Sequence, residues 1–359
     1  MESLNNTENV EWTPPQPLSI EALNKLAFAP SRTFVEVTPR FSCNGIKICT
    51  SGNLTAILAQ AKTGKSAFMA AMIAAAITKE EDRDAIDTFG IIGERLDGRH
   101  LLHFDTEQSP ADHHKLIKRT LKRAHLDQPP PNLQSFCLTG LTIGDRRQAA
   151  TKLIKHYAEI GGIHSVFIDG IGDLCGNVND AEVSDSLLTE MTNLAINHDC
   201  PIICVLHQNP NSANSAGKMR GHLGSSLERK AETNLILEKN AAEITTVYAT
   251  KTRNAPILKN AGPAFEWDDY HGMHRSTENP NTPETKAKAK AETEHDKRVE
   301  LVTLLFPLGS QPMNFTDLTH MIMRKEKRAK STAEKRIKAL VEAKLITKTE
   351  DNLYSPSVE

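Results

Sequence analysis

The chain is short of the features that mark several protein classes. Its six cysteines, Cys43, Cys49, Cys137, Cys175, Cys200 and Cys204, include no CxxC pair and no grouping with histidine at zinc-finger spacing. That excludes a disulfide scaffold and a cysteine-ligated metal, and with no secretory leader in view it predicts a reducing, cytoplasmic setting. Long apolar runs are missing too. The most apolar stretch, "AFMAAMIAAAI" from Ala67 to Ile77, is too short for a bilayer and rich in alanine, so it reads as a buried helix and not a membrane anchor. Neither sign of charge dominates: a net charge of -2 gives no global attraction to polyanions, so any nucleic-acid contact must come from local basic patches.

What is present is a division into regions. Residues 1–33 open with a polar, proline-clustered stretch, expected to be a flexible arm, followed by a short helix over "IEALNKLAF" capped by Ser19. Across 34–275, apolar β-type runs ("LTAILA", "LLHFDTE", "SVFIDG", "PIICVLHQ") alternate with helix-like stretches, the signature of an α/β fold with a parallel central sheet covered on both faces. "TNLILEKN" and "EITTVYATKTRN" extend that sheet as a hairpin. Residues 276–296 lack apolar periodicity and read as a linker, turning helical near its end. Residues 297–359 hold three amphipathic stretches and a small hairpin, the pattern of a winged helix-turn-helix, with Ser331 or Thr332 capping its third helix.

One segment carries phosphate chemistry. In "LAQAKTGKSA" a strand leads through Ala59, Gln60, Ala61, Lys62, Thr63 and Gly64 into a helix beginning with Lys65, Ser66 and Ala67. A glycine-rich turn at that junction aims backbone N–H groups and the helix N-terminus at phosphates. Lys65 is suited to the β- and γ-phosphates of ATP, and the Ser66 hydroxyl to Mg²⁺. Alanine stands at position 59, where the pattern has its first glycine. A methyl there costs something only if the backbone needs positive φ, so Ala59 is a tolerated departure.

Three further strand ends carry groups that phosphoanhydride hydrolysis uses, at the sheet edge where ligands of open parallel sheets sit. "LLHFDTEQ" ends in Asp105, Thr106 and Glu107, and Glu107 is the candidate for orienting or deprotonating the attacking water. "SVFIDG" ends in Asp169, suited to hold the Mg²⁺ shell. "IICVLHQN" ends in His207 and Gln208, the latter the candidate sensor of the γ-phosphate.

As a set, "AKTGKS", "HFDTEQ", "VFIDG" and "VLHQN" resemble RecA-like motor ATPases, above all hexameric replicative helicases of the DnaB and plasmid RepA type. "ATKTRNAP" is similar to the strand that DnaB-type proteins insert into a neighbour's ATP site, which implies that Lys251 and Arg253 act in trans. The resemblance further implies a homo-oligomer, a hexameric ring, in which the loop 209–224 with Lys218 and Arg220, and with Arg229 and Lys230 beyond it, grips single-stranded DNA. A second basic surface lies between Arg324 and Lys338, where eight cations face two acids; on a winged helix this is a duplex-DNA surface. The expectation is an ATP- and Mg²⁺-dependent DNA motor, a helicase or helicase-like replication protein of a mobile element. An ATP-switched DNA-binding regulator and a recombination mediator are the alternatives.

Overall fold

The apolar runs become neighbouring strands in the computed structural model of the chain, which describes residues 19–24, 27–28, 38–208, 221–249 and 251–357. The elements begin with α1 (Ile20–Asn24), β1 (Phe41–Cys43), β2 (Ile46–Cys49), β3 (Leu54–Ala59), α2 (Lys65–Ile77) and β4 (Ile91–Gly93). They continue with β5 (His100–Asp105), α3 (Pro110–Arg123), β6 (Leu133–Cys137), α4 (Ile143–Gly161), β7 (Ile163–Asp169), α5 (Ala181–Asn197), β8 (Ile202–His207) and α6 (Gly221–Lys230). Next come β9 (Thr233–Lys239), β10 (Thr245–Tyr248), β11 (Ala264–Asp268), β12 (Met273–Thr277) and α7 (Pro283–Leu305). The last are β13 (Met313–Asn314), α8 (Phe315–Glu326), α9 (Lys330–Glu342), β14 (Ile346–Lys348) and β15 (Leu353–Pro356). The chain divides into residues 1–38 and 39–359. In the first unit α1 is the described helix, with Ile20 and Leu23 exposed; most of the expected arm lies outside the described residues.

The central sheet has nine strands in the order β12-β11-β10-β9-β3-β8-β7-β5-β6. From β9 to β6 all neighbours are parallel. The β10, β11 and β12 strands then add antiparallel, so the expected hairpin of β9 and β10 extends by a second one. Register aligns the chemistry: Ala59 pairs with His207, and Asp105 with Asp169. The candidate residues therefore emerge at one level of the carboxyl edge.

Alternation along β3 explains the two faces. Ile57 and Ala59 join a core with Phe68, Met69, Met72 and Phe265, while Ala56 and Leu58 join another with Leu187, Leu188 and Met191. Burying each large side chain of this kind contributes about 1.5–3 kcal/mol. Helix α2 is buried nearly all round, and its alanines allow β4 to lie close: a Cβ on Gly93 would sit 2.8 Å from the Ala75 backbone. Among the described residues no helix is long and apolar enough to cross a membrane.

The stretch read as a linker is largely ordered secondary structure. Its start completes β12, and α7 begins at Pro283 behind Thr282, whose hydroxyl accepts the Thr285 N–H. Alanine, lysine and glutamate have high helix propensity without any apolar stripe, and a Thr-Pro start fixes the first turn. A third core gathers Leu301, Leu305 and Phe306 of the α7 end with Leu318 and Ile322 of α8, Ile337 and Leu340 of α9, Ile346 and Tyr354. Strands β13, β15 and β14 pair beside these helices. Helix α9 is capped at Ala329 without a side-chain bond, so Ser331 and Thr332 lie inside its first turn.

Candidate functional site

The phosphate loop leaves β3 at Ala59, which is fully buried and has no positive φ. The methyl group is thus accommodated in extended backbone. The left-handed positions fall on Lys62 (φ 64°) and Gly64 (φ 87°). At Gly64 any larger residue meets a wall: a Cβ would lie 2.7 Å from the Phe265 ring, which is stacked against Phe89 at 4.4 Å. Gly64 caps α2 without a side chain, leaving first-turn N–H groups pointing into the loop. Thr63 closes the turn by donating its hydroxyl to the Gln60 carbonyl at 2.8 Å.

Lys65 is 7 % exposed and donates to the Gln60 carbonyl at 3.1 Å and to His207 Nδ1 at 3.1 Å. Because an ammonium only donates, His207 Nδ1 must accept, and its Nε2–H points to Glu107 Oε2 at 3.0 Å. Burial lowers the Lys65 pKa from its ordinary value, against the pull of Glu107 and Asp169. Ser66 donates to Asp169 Oδ2 at 3.0 Å. The other carboxylate oxygen of Asp169 is buried without a hydrogen-bond partner among the described residues. Burial, reinforced by Glu107 and Asp105, pushes its pKa up to about 7.

An orphan carboxylate oxygen beside a serine hydroxyl and a buried lysine is a costly arrangement, because a buried charge without partners is destabilising. A divalent cation with its attendant phosphates is the partner that such a donor set fits. Among the described residues no group of three or more His, Cys, Asp or Glu side chains could hold a metal by itself. Ser66 and Asp169 would therefore share the ion with substrate oxygens.

Loop 106–108 is held from several sides. Thr106 donates to the carbonyls of Asp169 and Gly170 at 2.9 Å each. Thr139 donates to the Gln108 carbonyl at 2.5 Å. A Cβ at Gly170 (φ 100°) would strike Thr106 Oγ1 and lie 2.7 Å from Glu107 Cγ.

Lys62, Gly64, Lys65, Ser66, Ala67, Glu107 and His207 line one cavity of about 390 Å³. Its far wall was not foreseen from the sequence: Arg119 and Arg123 of α3 face Trp267, Met273 and His274 of the β11–β12 hairpin. The Arg119 guanidinium lies over the Trp267 ring at 5.2 Å, and His274 meets that ring edge-on at 5.4 Å. Burial, with the nearby cations Lys239, Arg123 and Arg119, pushes the His274 pKa down to about 4. A signal for this wall existed: Lys115, Arg119 and Arg123 recur every four residues, which puts them on one face of α3.

Gln208 faces elsewhere. With Gln60, Ala61, Lys62 and Thr63 it lines a separate cavity of about 490 Å³, and its N–H donates to the Ala59 carbonyl at 2.9 Å. Successive strand residues point to opposite sides, so His207 and not Gln208 meets Glu107. Lys251 and Arg253 lie at the opposite edge of the sheet, where Thr252 bridges Thr233 at the start of β9. Lys251 pairs with Glu228, and Arg253 donates to Asn53 Oδ1 and the Lys230 carbonyl at 3.0 Å each. They are no part of this chain's own phosphate cluster.

Of the loop 209–224, residues 221–224 belong to α6, and Lys218 and Arg220 lie outside the described residues. Arg229 and Lys230 end α6 beside Arg253, far from where that loop leaves β8. In the C-terminal basic stretch, Arg336 pairs with Glu326 at 3.2 Å, and Lys338 with Glu342 at 3.9 Å.

Comparison with known proteins bears on this geometry. The search of curated proteins found no match. Among solved structures, the crystal structure of the RadB recombinase is similar at 15% identity and a TM-score of 0.42, over 64% of this chain and 92% of that one. Residues 45–213 match the family model of the AAA domain, a segment that includes the phosphate loop, Glu107, Asp169 and His207. The segment similar to an AAA domain is thus the one that carries the phosphate loop and the strand-end acids of this site.

Proposed function

We propose that the chain is an ATP-hydrolysing, DNA-associated motor, a helicase or helicase-like replication protein that works as a ring of identical subunits. The observation that carries the ATPase reading is the meeting of Lys65, Ser66 and Glu107 around one cavity, with Asp169 held behind them by the Ser66 hydroxyl and one of its buried oxygens unpartnered. Lys65 and the α2 N-terminus bind the phosphates, and Ser66 and Asp169 would hold Mg²⁺. When bound, the ion neutralises charge on the transferred phosphoryl group. Glu107 orients the attacking water and takes its proton. His207 occupies the space between Lys65 and Glu107, so a γ-phosphate on Lys65 competes with the His207 contact and frees the carboxylate. The nucleoside end fits the wall of Arg119, Trp267, Met273 and His274, where a base has an aromatic face to stack on.

The DNA-facing part of the proposal rests on the C-terminal unit. The end of α7, helices α8 and α9 and the β13-β15-β14 sheet support a winged-helix reading, with Lys335, Arg336 and Lys338 on α9 as the duplex contact and residues beyond Gln208 as the single-strand contact. The 66% exposure of the Lys251 side chain, at the edge away from its own phosphate loop, supports a trans role for Lys251 and Arg253. ATP turnover measured with and without single-stranded DNA, beside Glu107→Gln, tests the whole. Stimulation that the variant abolishes supports the motor. Slow, unstimulated turnover with tight sequence-specific duplex binding favours the regulator instead.

A further inference from the structure

Behind Glu107 runs a line of polar side chains that the ATPase reading does not use. Asp105 ends β5 fully buried, and its Oδ1 accepts the backbone N–H groups of Gln108 at 2.9 Å and Glu107 at 3.1 Å. Its Oδ2 meets His113 Nδ1 of α3 at 3.1 Å. His113 Nε2 lies 3.2 Å from the Ser135 hydroxyl on β6, and Ser135 lies 2.8 Å from His103 Nδ1 on β5. The two imidazoles stack at 5.5 Å with only 7° between their planes. The line thus joins two strands and a helix, and it ends at the two amides that shape the turn carrying Glu107.

Its direction follows from donor counting. Asp105 held as a carboxylate only accepts, so His113 Nδ1–H donates to it and Nε2 accepts the Ser135 hydroxyl. Ser135 then accepts from His103 Nδ1–H, which leaves His103 Nε2 as a bare acceptor. That nitrogen is the one orphan of the line, buried and without a partner among the described residues. An unmet acceptor is the cheaper choice here, because the reverse orientation would strand the His103 Nε2–H donor and set an unprotonated His113 Nδ1 against the Asp105 carboxylate, two acceptors facing one another. Burial, opposed by Asp105, pushes the His103 pKa down to about 4, in keeping with a neutral ring. Asp105 itself sits below the usual carboxylate range: burial alone would raise it, but the bonds from His113 and from the Gln108 and Glu107 amides outweigh that.

We propose that His103, Ser135, His113 and Asp105 form a one-way hydrogen-bond relay that fixes the backbone of Glu107 and Gln108, making Ser135 and His113 positioning residues for Glu107. Ser135 sits on the edge strand, four strands away from the phosphate loop on β3, and neither it nor His113 lines the nucleotide cavity. The relay therefore acts on turnover through the placement of one carboxylate and not on nucleotide affinity. This rests on the assignment of Glu107 as the water-orienting residue.

The test uses the full chain with Ser135→Ala, Ser135→Thr and His113→Phe. Hydrogen exchange at the Glu107 and Gln108 amides is read without nucleotide, and kcat and KM for ATP are read separately. Ser135→Ala is expected to speed exchange at both amides and lower kcat by roughly 3- to 10-fold, His113→Phe by roughly 10- to 50-fold, with KM within about twofold. Ser135→Thr, which keeps the hydroxyl, is expected to restore both readouts. Unchanged exchange in Ser135→Ala and His113→Phe overturns the relay, as does faster exchange with wild-type kcat, or an equal loss in Ser135→Thr and Ser135→Ala. If the wild-type chain hydrolyses no ATP, the ATPase reading fails, while the exchange measurement still decides whether the line holds the turn.

Discussion

The two edges of the central sheet handle charge in opposite ways. At the carboxyl edge, Asp169 has an unpartnered buried oxygen and a pKa near 7, Lys65 is buried, and a cavity opens beside Lys65, Ser66 and Glu107. At the other edge the charged groups near β9 are tied down. Glu232, only 3 % exposed, accepts the Thr50 N–H at 2.5 Å and the Thr50 hydroxyl at 2.7 Å. Arg253 and Lys251 there are bonded within the chain. Glu232 is nearly as buried as Asp169, so burial alone does not mark the site. An unpartnered carboxylate does: Asp169 Oδ1 is the one carboxylate oxygen among the described residues buried without a partner, and a charge in that position is costly unless something else completes it.

Substitutions at the first edge are expected to remove function, and those at the second to cost a little stability. The largest effect is expected for Lys65→Ala, which takes away the phosphate cation and lowers kcat/KM for ATP by about 10³-fold or more. Glu107→Gln comes next, with kcat reduced by roughly 10²–10³-fold while nucleotide binding, followed by fluorescence titration, stays within about threefold.

Asp169→Asn separates stability from function. The folded pKa of about 7 lies above that of an unfolded aspartate, so the group's contribution to stability is fully present below the unfolded value and is lost as pH rises through 7. Each pH unit between those values is worth about 1.4 kcal/mol. The nucleotide-free variant is accordingly expected to melt higher than wild type at pH 8 and to match it near pH 4, while losing Mg²⁺-dependent nucleotide binding. In the wild type the same titration makes Mg²⁺-nucleotide binding weaken as pH falls below 7, because a protonated Asp169 holds no cation.

Trp267→Ala, at the far wall of the cavity, is expected to raise KM for ATP by roughly 5- to 10-fold with kcat little changed, the worth of one stacked ring. The smallest change sharpens the contrast most. Arg253→Ala is expected to leave nucleotide affinity within about twofold and to lower stability by about 1 kcal/mol through its lost bonds to Asn53 and Lys230. A tenfold loss of affinity in the dissociated chain would place Arg253 in its own subunit's site and erase the distinction between the edges.

The sequence made the carboxyl edge readable because its chemistry sits in short segments. "AKTGKS", "HFDTEQ" and "VFIDG" each end a strand, and parallel register brings such ends together. The basic face of α3 has a trace in its four-residue spacing, but its meeting with Trp267 has none, since Arg119 and Trp267 are 148 positions apart and come together only when β11 and β12 fold beside α3. His207 and Gln208 were adjacent candidates that composition cannot separate; one residue of strand alternation decided between them. The stretch after β12 was misread because a helix without an apolar stripe leaves no periodic trace, although Thr282 and Pro283 spelled out its start.

That helix has a consequence for what the cavity can do. Trp267, Met273 and His274 sit on the β11–β12 hairpin, and five residues after β12 the chain enters α7. The connection is pinned, with Asn279 donating to the carbonyls of Lys259 and Gly262 at 2.9 and 2.7 Å, and Asn281 to Thr246 at 3.1 Å. A helix of 23 residues is a rod roughly 34 Å long. Rooted beside a pocket wall, it magnifies small rocking into large excursion: a tilt of about 10° at its base carries its tip, and the three-helix unit built on that tip, about 6 Å.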